Sequence, residues 1–380
     1  MAAQQHSLAT STDSQQSRVR AAWLFSPRID LAILVVPALF TLAMVAYAHH
    51  GGDPLAREER AFATWVAQFI LGNTTHVLLT FLLLGVRRDV LTATPRQAHI
   101  VIFGSLAACA VAFAFFWATS RSYPALIELG TAVGLTFATH HRLSQVKGIW
   151  SLYNLRGNQA KLPAPDARER KVVQLFVPIG LLLTLVKWFF VEKRADSSYP
   201  FINALPGEPA FLPYAVTWVL LAAWALFAFF VVRALLLPAV VSGPKLLYIA
   251  AQLTAVALTI VSPGWGLTFA AGVHGLEYFF LAARMLEPTK HETSARLRGG
   301  WIWPAILLTV LPFVVIGTMT GGPSFFSGYL GASAGAASVL VVLSILMNSV
   351  VVAHYFADAF IYRFRIPEVR KVALTRLGFL

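Results

Sequence analysis

Apolar runs long enough to cross a bilayer recur along this chain and constrain its fold more than any other feature. Each spans roughly 18–25 residues, and as a helix rising 1.5 Å per residue such a run covers a hydrocarbon core of about 30 Å. The composition agrees: 57% of the 380 residues are hydrophobic and 12% are charged, about half the charged share of a soluble domain. The expected fold is all-α, a polytopic membrane helical bundle of about ten transmembrane helices. The spans fall near 31–48, 62–86, 99–119, 123–143, 172–192, 211–237, 246–262, 265–285, 301–320 and 332–362. The seventh and eighth form a hairpin, because Ser262-Pro-Gly-Trp-Gly266 reads as a tight turn. Pro178, Pro304 and Pro312 lie inside spans, where neighbouring helices accommodate the kinks.

Lysine and arginine fix the expected orientation. With the N-terminus inside, 24 basic residues fall in inner segments and 5 in outer ones. This split puts both termini in the cytosol by the positive-inside rule and fits an even number of spans. The same rule accounts for the net charge of +13 without a nucleic-acid partner. Residues 1–30, rich in Ser, Gln and Thr and lacking an apolar core, read as a disordered cytosolic tail rather than a signal peptide. Residues 31–362 form the membrane domain, and 363–380 a basic cytosolic tail. The inner loop 144–171 begins with a stretch whose spacing suits an interfacial amphipathic helix, with Trp150 and Tyr153 at headgroup level. The outer loop 195–210 reads as an irregular lid. No internal repeat supports an inverted-repeat transporter. Cys109 is the only cysteine, which excludes intrachain disulfides and cysteine-based zinc or iron–sulfur sites.

Polar residues inside the spans carry the functional signal. Span two holds Asn73 and His76, span four ends in His140-His141 with Gln145 four residues on, span eight holds His274, Glu277 and Tyr278, and span ten holds His354 and Asp358. Positions three or four apart share a helix face. His274 therefore pairs with Glu277, and His354 with Asp358. All four spans run from outside to inside. His76 lies 11 residues before Arg87, His274 10 before Arg284 and His354 9 before Arg363, which sets the three histidines in one layer roughly 14–16 Å above the inner boundary. His141, which directly precedes Arg142, joins that layer only if its helix continues inward to Lys147 with Arg142 buried or snorkelling; otherwise it sits at the inner mouth.

Each residue alone has a plain explanation. An intramembrane histidine is commonly a helix–helix hydrogen-bonding group, Glu277 can pair with Arg284, and Asp358 with Arg363 or Arg365. Together they describe a His/carboxylate cluster of the kind that binds Fe(II), Mn or Zn in helical bundles. A proton or substrate relay and purely structural polar packing are the alternatives. Gly331-Ala-Ser333-Ala-Gly335 matches a nucleophile elbow, but His354 lies 21 residues further along the same helix, about 30 Å away. No His-Glu-x-x-His motif is present.

The arrangement resembles two groups of membrane oxygenases. One is the histidine-rich oxygenases and desaturases, which bind di-iron with histidines from several helices; the chain lacks their HxxxH and HxxHH boxes. The other is the bacterial Brp/Blh-like carotene-cleaving dioxygenases, whose late His-x-x-x-Asp and aromatic–Arg exit resemble His354-Tyr-Phe-Ala-Asp358 followed by Tyr362-Arg363. That second resemblance implies an iron-dependent oxygenase acting on a lipid-soluble substrate, with His354 as an iron ligand and Asp358 as its hydrogen-bonded partner.

The resulting expectation is an integral-membrane, metal-dependent oxidoreductase in a bacterial inner membrane, using non-haem iron, in a di-iron form in one version. His76, His140, His141, His274 and His354 are the ligand candidates. Glu277 and Asp358 are ligands or acceptors that orient the imidazoles. Asn73, Gln145 and Tyr278 support them. Its partners are the bilayer, a hydrophobic small molecule and an electron donor on the cytosolic side. A transporter or proton-coupled carrier, and a protein binding haem b through two histidines, are the rival readings.

Overall fold

The structure, a computed structural model, describes residues 22–49, 75–121, 124–192, 212–238, 241–286, 334–361 and 366–380. The described residues are mostly helical, joined by short turns, and include no strand. In chain order the helices are α1 (Pro27–His49), α2 (Thr75–Val86), α3 (Arg88–Leu91), α4 (Pro95–Arg121), α5 (Pro124–Gln159), α6 (Ala167–Val186), α7 (Leu212–Leu236), α8 (Gly243–Val261), α9 (Pro263–Leu286), α10 (Ala334–Ile361) and α11 (Pro367–Arg376). Among the described residues, five stretches are long and apolar enough to cross a membrane: Pro27–Tyr47, Arg96–Ala118, Ala167–Phe189, Tyr214–Leu236 and Gly243–Val261. Each falls on an expected span. The ninth span at 301–320, the lid at 195–210, the first half of span two and the tail up to residue 21 lie outside the described residues, as do Asn73, Ser333, Arg363 and Arg365.

The chain divides into two compact units, 1–42 with 138–270 and 43–137 with 271–380. The first has an aromatic core. Trp224 packs against Phe176 and Phe227 with ring centroids 5.8 and 5.4 Å apart. Its indole N–H donates to the Leu253 carbonyl at 2.9 Å, tying α7 to α8. Asp166 caps α6 by accepting from the Glu169 backbone N–H at 2.7 Å, as an N-cap aspartate does for an orphan donor. Past Val186 that helix continues as a π-turn over Lys187–Glu192, where Lys187 donates to Thr217 at 3.0 Å. The expected hairpin is present: Ser262 alone separates α8 from α9. A Cβ at Gly266 would overlap the Thr259 backbone, so the turn requires glycine.

The helix expected from residue 144 is present, but it continues the preceding span instead of lying separately at the interface. The helix α5 runs unbroken to Gln159, and Trp150 and Tyr153 are buried rather than placed at a headgroup surface. Hydrogen bonding gives the reason. The Trp150 indole donates to Glu169 at 2.9 Å, and Glu169 pairs with Lys245 at 2.9 Å. Tyr153 donates to Asp30 at 3.0 Å. Asp30 also accepts from the backbone N–H groups of Leu24 and Phe25, so it folds residues 24–30 back onto the start of α1. An amphipathic surface stripe and a buried stripe have the same period. Here the polar ends of both aromatics meet buried partners, which makes the buried location favourable.

In the second unit α10 lies along α4 and meets α2. The approach to α4 is close at Gly104, where an added Cβ would overlap the Phe356 ring. Arg87, buried just past the end of α2, donates to the carbonyl of Leu286 at the end of α9. It thereby satisfies an orphan carbonyl of a helix terminus. The C-terminal segment read as a basic tail folds as α11. Its Val369, Ala373 and Leu374 are buried, and Arg376 holds Asp89 of α3 through two nitrogens at 2.9 and 2.7 Å.

Candidate metal centre

Within the second unit three histidines from three helices meet. His76 sits in the first turn of α2, His274 in mid α9 and His354 towards the end of α10. The Nε2 atoms of His76 and His274 are 3.3 Å apart. The His76 and His354 rings lie edge to face with centroids 4.7 Å apart. His76 and His354 are fully buried, and His274 nearly so. Their apolar neighbours in sequence, Val77, Leu79, Ala353 and Ala357, are buried as well.

The acidic partner is Asp358, one turn after His354 and 5% exposed. Its Oδ2 lies 3.4 Å from His354 Nε2. Its Oδ1 accepts from Thr80 at 2.9 Å and from Tyr278 at 3.0 Å. Thr80 also lies 2.7 Å from His354 Nδ1 and 2.5 Å from the Tyr278 hydroxyl. The plain alternative for Asp358, pairing with the arginines that follow α10, involves residues outside those described. Among the described residues, Thr80, Tyr278 and His354 lie against it.

Of the residues singled out in the sequence, the structure brings together His76, His274, Tyr278, His354 and Asp358. Glu277 is also buried, one position before Tyr278 on α9. His140, His141 and Gln145 belong to the first unit. There His140 is exposed and His141 and Gln145 are half-buried, because adjacent positions on a helix point about 100° apart. The local condition set for His141 is met: its helix continues past Lys147, and Arg142 is buried. Thr80 was missed. It stands four residues after His76, on the same helix face, and that spacing is the signal that would have found it.

No protein-family model, curated protein or solved structure matches this chain. Function must be argued from the site.

Each of the two pairs, His76–His274 and His354–Asp358, fits ligation of a first-row metal ion. Three imidazoles and a carboxylate are borderline ligands suited to Fe(II), Mn or Zn. Two atoms bound to one ion at about 2.0–2.1 Å stand roughly 3.0–3.4 Å from each other. The His76–His274 and His354–Asp358 separations of 3.3 and 3.4 Å both match.

Proposed function

We propose that this protein is a membrane-embedded, metal-dependent oxidoreductase, with iron as the metal and a lipid-soluble molecule as substrate. The observation that carries this reading is two pairs at ligand-like separations, His76 with His274 and His354 with Asp358, drawn from three helices and joined by the contact of the His76 and His354 rings. The full reading has about ten spans, both termini in the cytosol of a bacterial cell, and an electron donor on that side. It rests on the five apolar helices, the 24-to-5 distribution of basic residues and the resemblance of the His354–Asp358 stretch to carotene-cleaving dioxygenases.

In this reading His76, His274 and His354 hold the ion through ring nitrogens, and Asp358 binds or orients through Oδ2. When bound, iron in such a site supplies activation of dioxygen towards an unactivated carbon centre. The chain does the rest. Tyr278 and Thr80 keep the Asp358 carboxylate in one orientation. The apolar packing around the three rings excludes water, and side chains buried in helical spans leave the bilayer as the natural route for a hydrophobic substrate. Haem b fits the His76–His274 pair less well. Two nitrogens bound on opposite faces of a haem stand about 4 Å apart with the macrocycle between them, whereas these are 3.3 Å apart with their rings edge to face.

A second reading, a proton-coupled carrier, draws on the chain of groups from Tyr278 through Thr80 and Asp358 to His354. Buried hydroxyl, carboxylate and imidazole groups in sequence are what a proton relay uses. Elemental analysis and a visible spectrum of the detergent-purified protein separate the readings. Bound iron without a Soret band supports the oxidoreductase, a Soret band supports haem, and no metal of any kind supports the carrier.

A further inference from the structure

The Thr80 side chain, like those of Tyr278 and Asp358, reaches groups on both of the other helices of the cluster. From α2 its Oγ1 lies 2.5 Å from Tyr278 on α9, and 2.7 and 2.9 Å from His354 Nδ1 and Asp358 Oδ1 on α10. It is fully buried. It also lies 3.3 Å from the His76 carbonyl one turn back, the local bond any helical threonine can make, and the longest of the four.

A hydroxyl has one proton and two lone pairs. With the proton given to Asp358 Oδ1, the contact with His354 Nδ1 is made by the imidazole donating to Thr80. His354 is then the Nδ1–H tautomer, and the lone pair sits on Nε2, the atom 3.4 Å from Asp358 Oδ2. A nitrogen lone pair and a carboxylate oxygen at that separation repel each other, and a shared proton or metal ion relieves the repulsion.

We propose that Thr80 is the positioning residue of this centre. It fixes the His354 tautomer and turns the lone pair of Nε2, together with Asp358 Oδ2, towards a shared cation. This assignment deepens the metal-centre reading above and rests on it. Hydroxyl or carbonyl groups that orient a ligating histidine typically change metal affinity by about 10–100-fold when removed. Valine matches threonine in shape and lacks the hydroxyl, serine keeps the hydroxyl, and cysteine keeps the size with a weak hydrogen-bonding group.

The test uses the full-length protein in detergent, with Fe(II) and Co(II) as probes and ¹⁵N-labelled histidine as a metal-free readout. In the metal-free parent, the His354 signal, assigned by its loss in His354→Gln, is expected to show a protonated Nδ1. Thr80→Val should lose that pattern and bind metal about 10–100-fold more weakly, with Thr80→Cys in between and Thr80→Ser close to the parent. If Thr80→Val does not fold, the serine and cysteine variants decide the matter by the same two measurements. A parent that binds metal while Thr80→Val, or Thr80→Cys in its place, binds equally well with an unchanged nitrogen signal overturns the positioning role alone. A parent that takes up neither metal overturns the metal-centre reading and this assignment with it.

Discussion

His76 and His274 are 198 residues apart in the chain, yet their Nε2 atoms stand 3.3 Å from each other in a site where both rings are buried. Two neutral imidazoles can share a single proton across such a gap, or both can turn lone pairs to one cation. The first gives a structural hydrogen bond, the second a ligand pair. Substitution separates them. His274→Gln keeps a hydrogen-bonding side chain, so a structural pair should lose on the order of 1 kcal/mol, with metal content unaffected. A ligand pair should lose bound metal while the helical signal by circular dichroism stays as in the parent.

Packing between α4 and α10 gives a prediction independent of any metal. Gly104 faces the Phe356 ring with no space for a Cβ. Gly104→Ala should cost about 1–3 kcal/mol through overpacking, read as a lower unfolding temperature in detergent. Phe356→Leu in the same chain should restore part of the loss, because a shorter side chain vacates the contested space.

The buried ion pair of the first unit makes a second stability prediction. Glu169 accepts from Trp150 and from Lys245, which also donates to Asn154 at 3.0 Å. Lys245→Met removes the cation and strands a carboxylate that is 2% exposed. The expected loss is about 2–3 kcal/mol, below the 3–5 of a fully buried pair because the lysine is partly at the surface. Adding Glu169→Gln, which keeps an acceptor for the indole, should recover most of it. A double variant no more stable than the single one would contradict the pairing.

Orientation can be read by labelling. Ala164 is exposed between α5 and α6, in the segment that holds seven of the inner basic residues. In a Cys109→Ala background, Ala164→Cys should react with a membrane-impermeant maleimide in inside-out vesicles and be protected in right-side-out ones. The opposite pattern would reverse the expected topology.

Much of this was legible in the sequence, and for definite reasons. Helical spans follow from run length alone, and the five apolar helices fall on expected positions. Counting from His76 and His274 to the next basic residue works because the helix rise is constant. Arg87 does lie level with the end of α9, where it meets the Leu286 carbonyl. The sequence misled where a buried stripe and an interfacial stripe share one period: Trp150 and Tyr153 are core residues held by Glu169 and Asp30. Thr80 was passed over because threonine is unremarkable in an apolar helix. Its importance comes from Tyr278 and Asp358, residues 198 and 278 positions away, and a local pattern carries no trace of such partners.

The central claim is that the clustered histidines hold a metal ion. The most direct measurement is metal per chain, by elemental analysis, in the parent protein and in His76→Ala, His274→Ala and His354→Ala, each checked for folding by circular dichroism and gel filtration. The account predicts iron in the parent and loss of most of it in all three folded variants. A folded parent without metal, or variants that retain the parent's full complement, would contradict it.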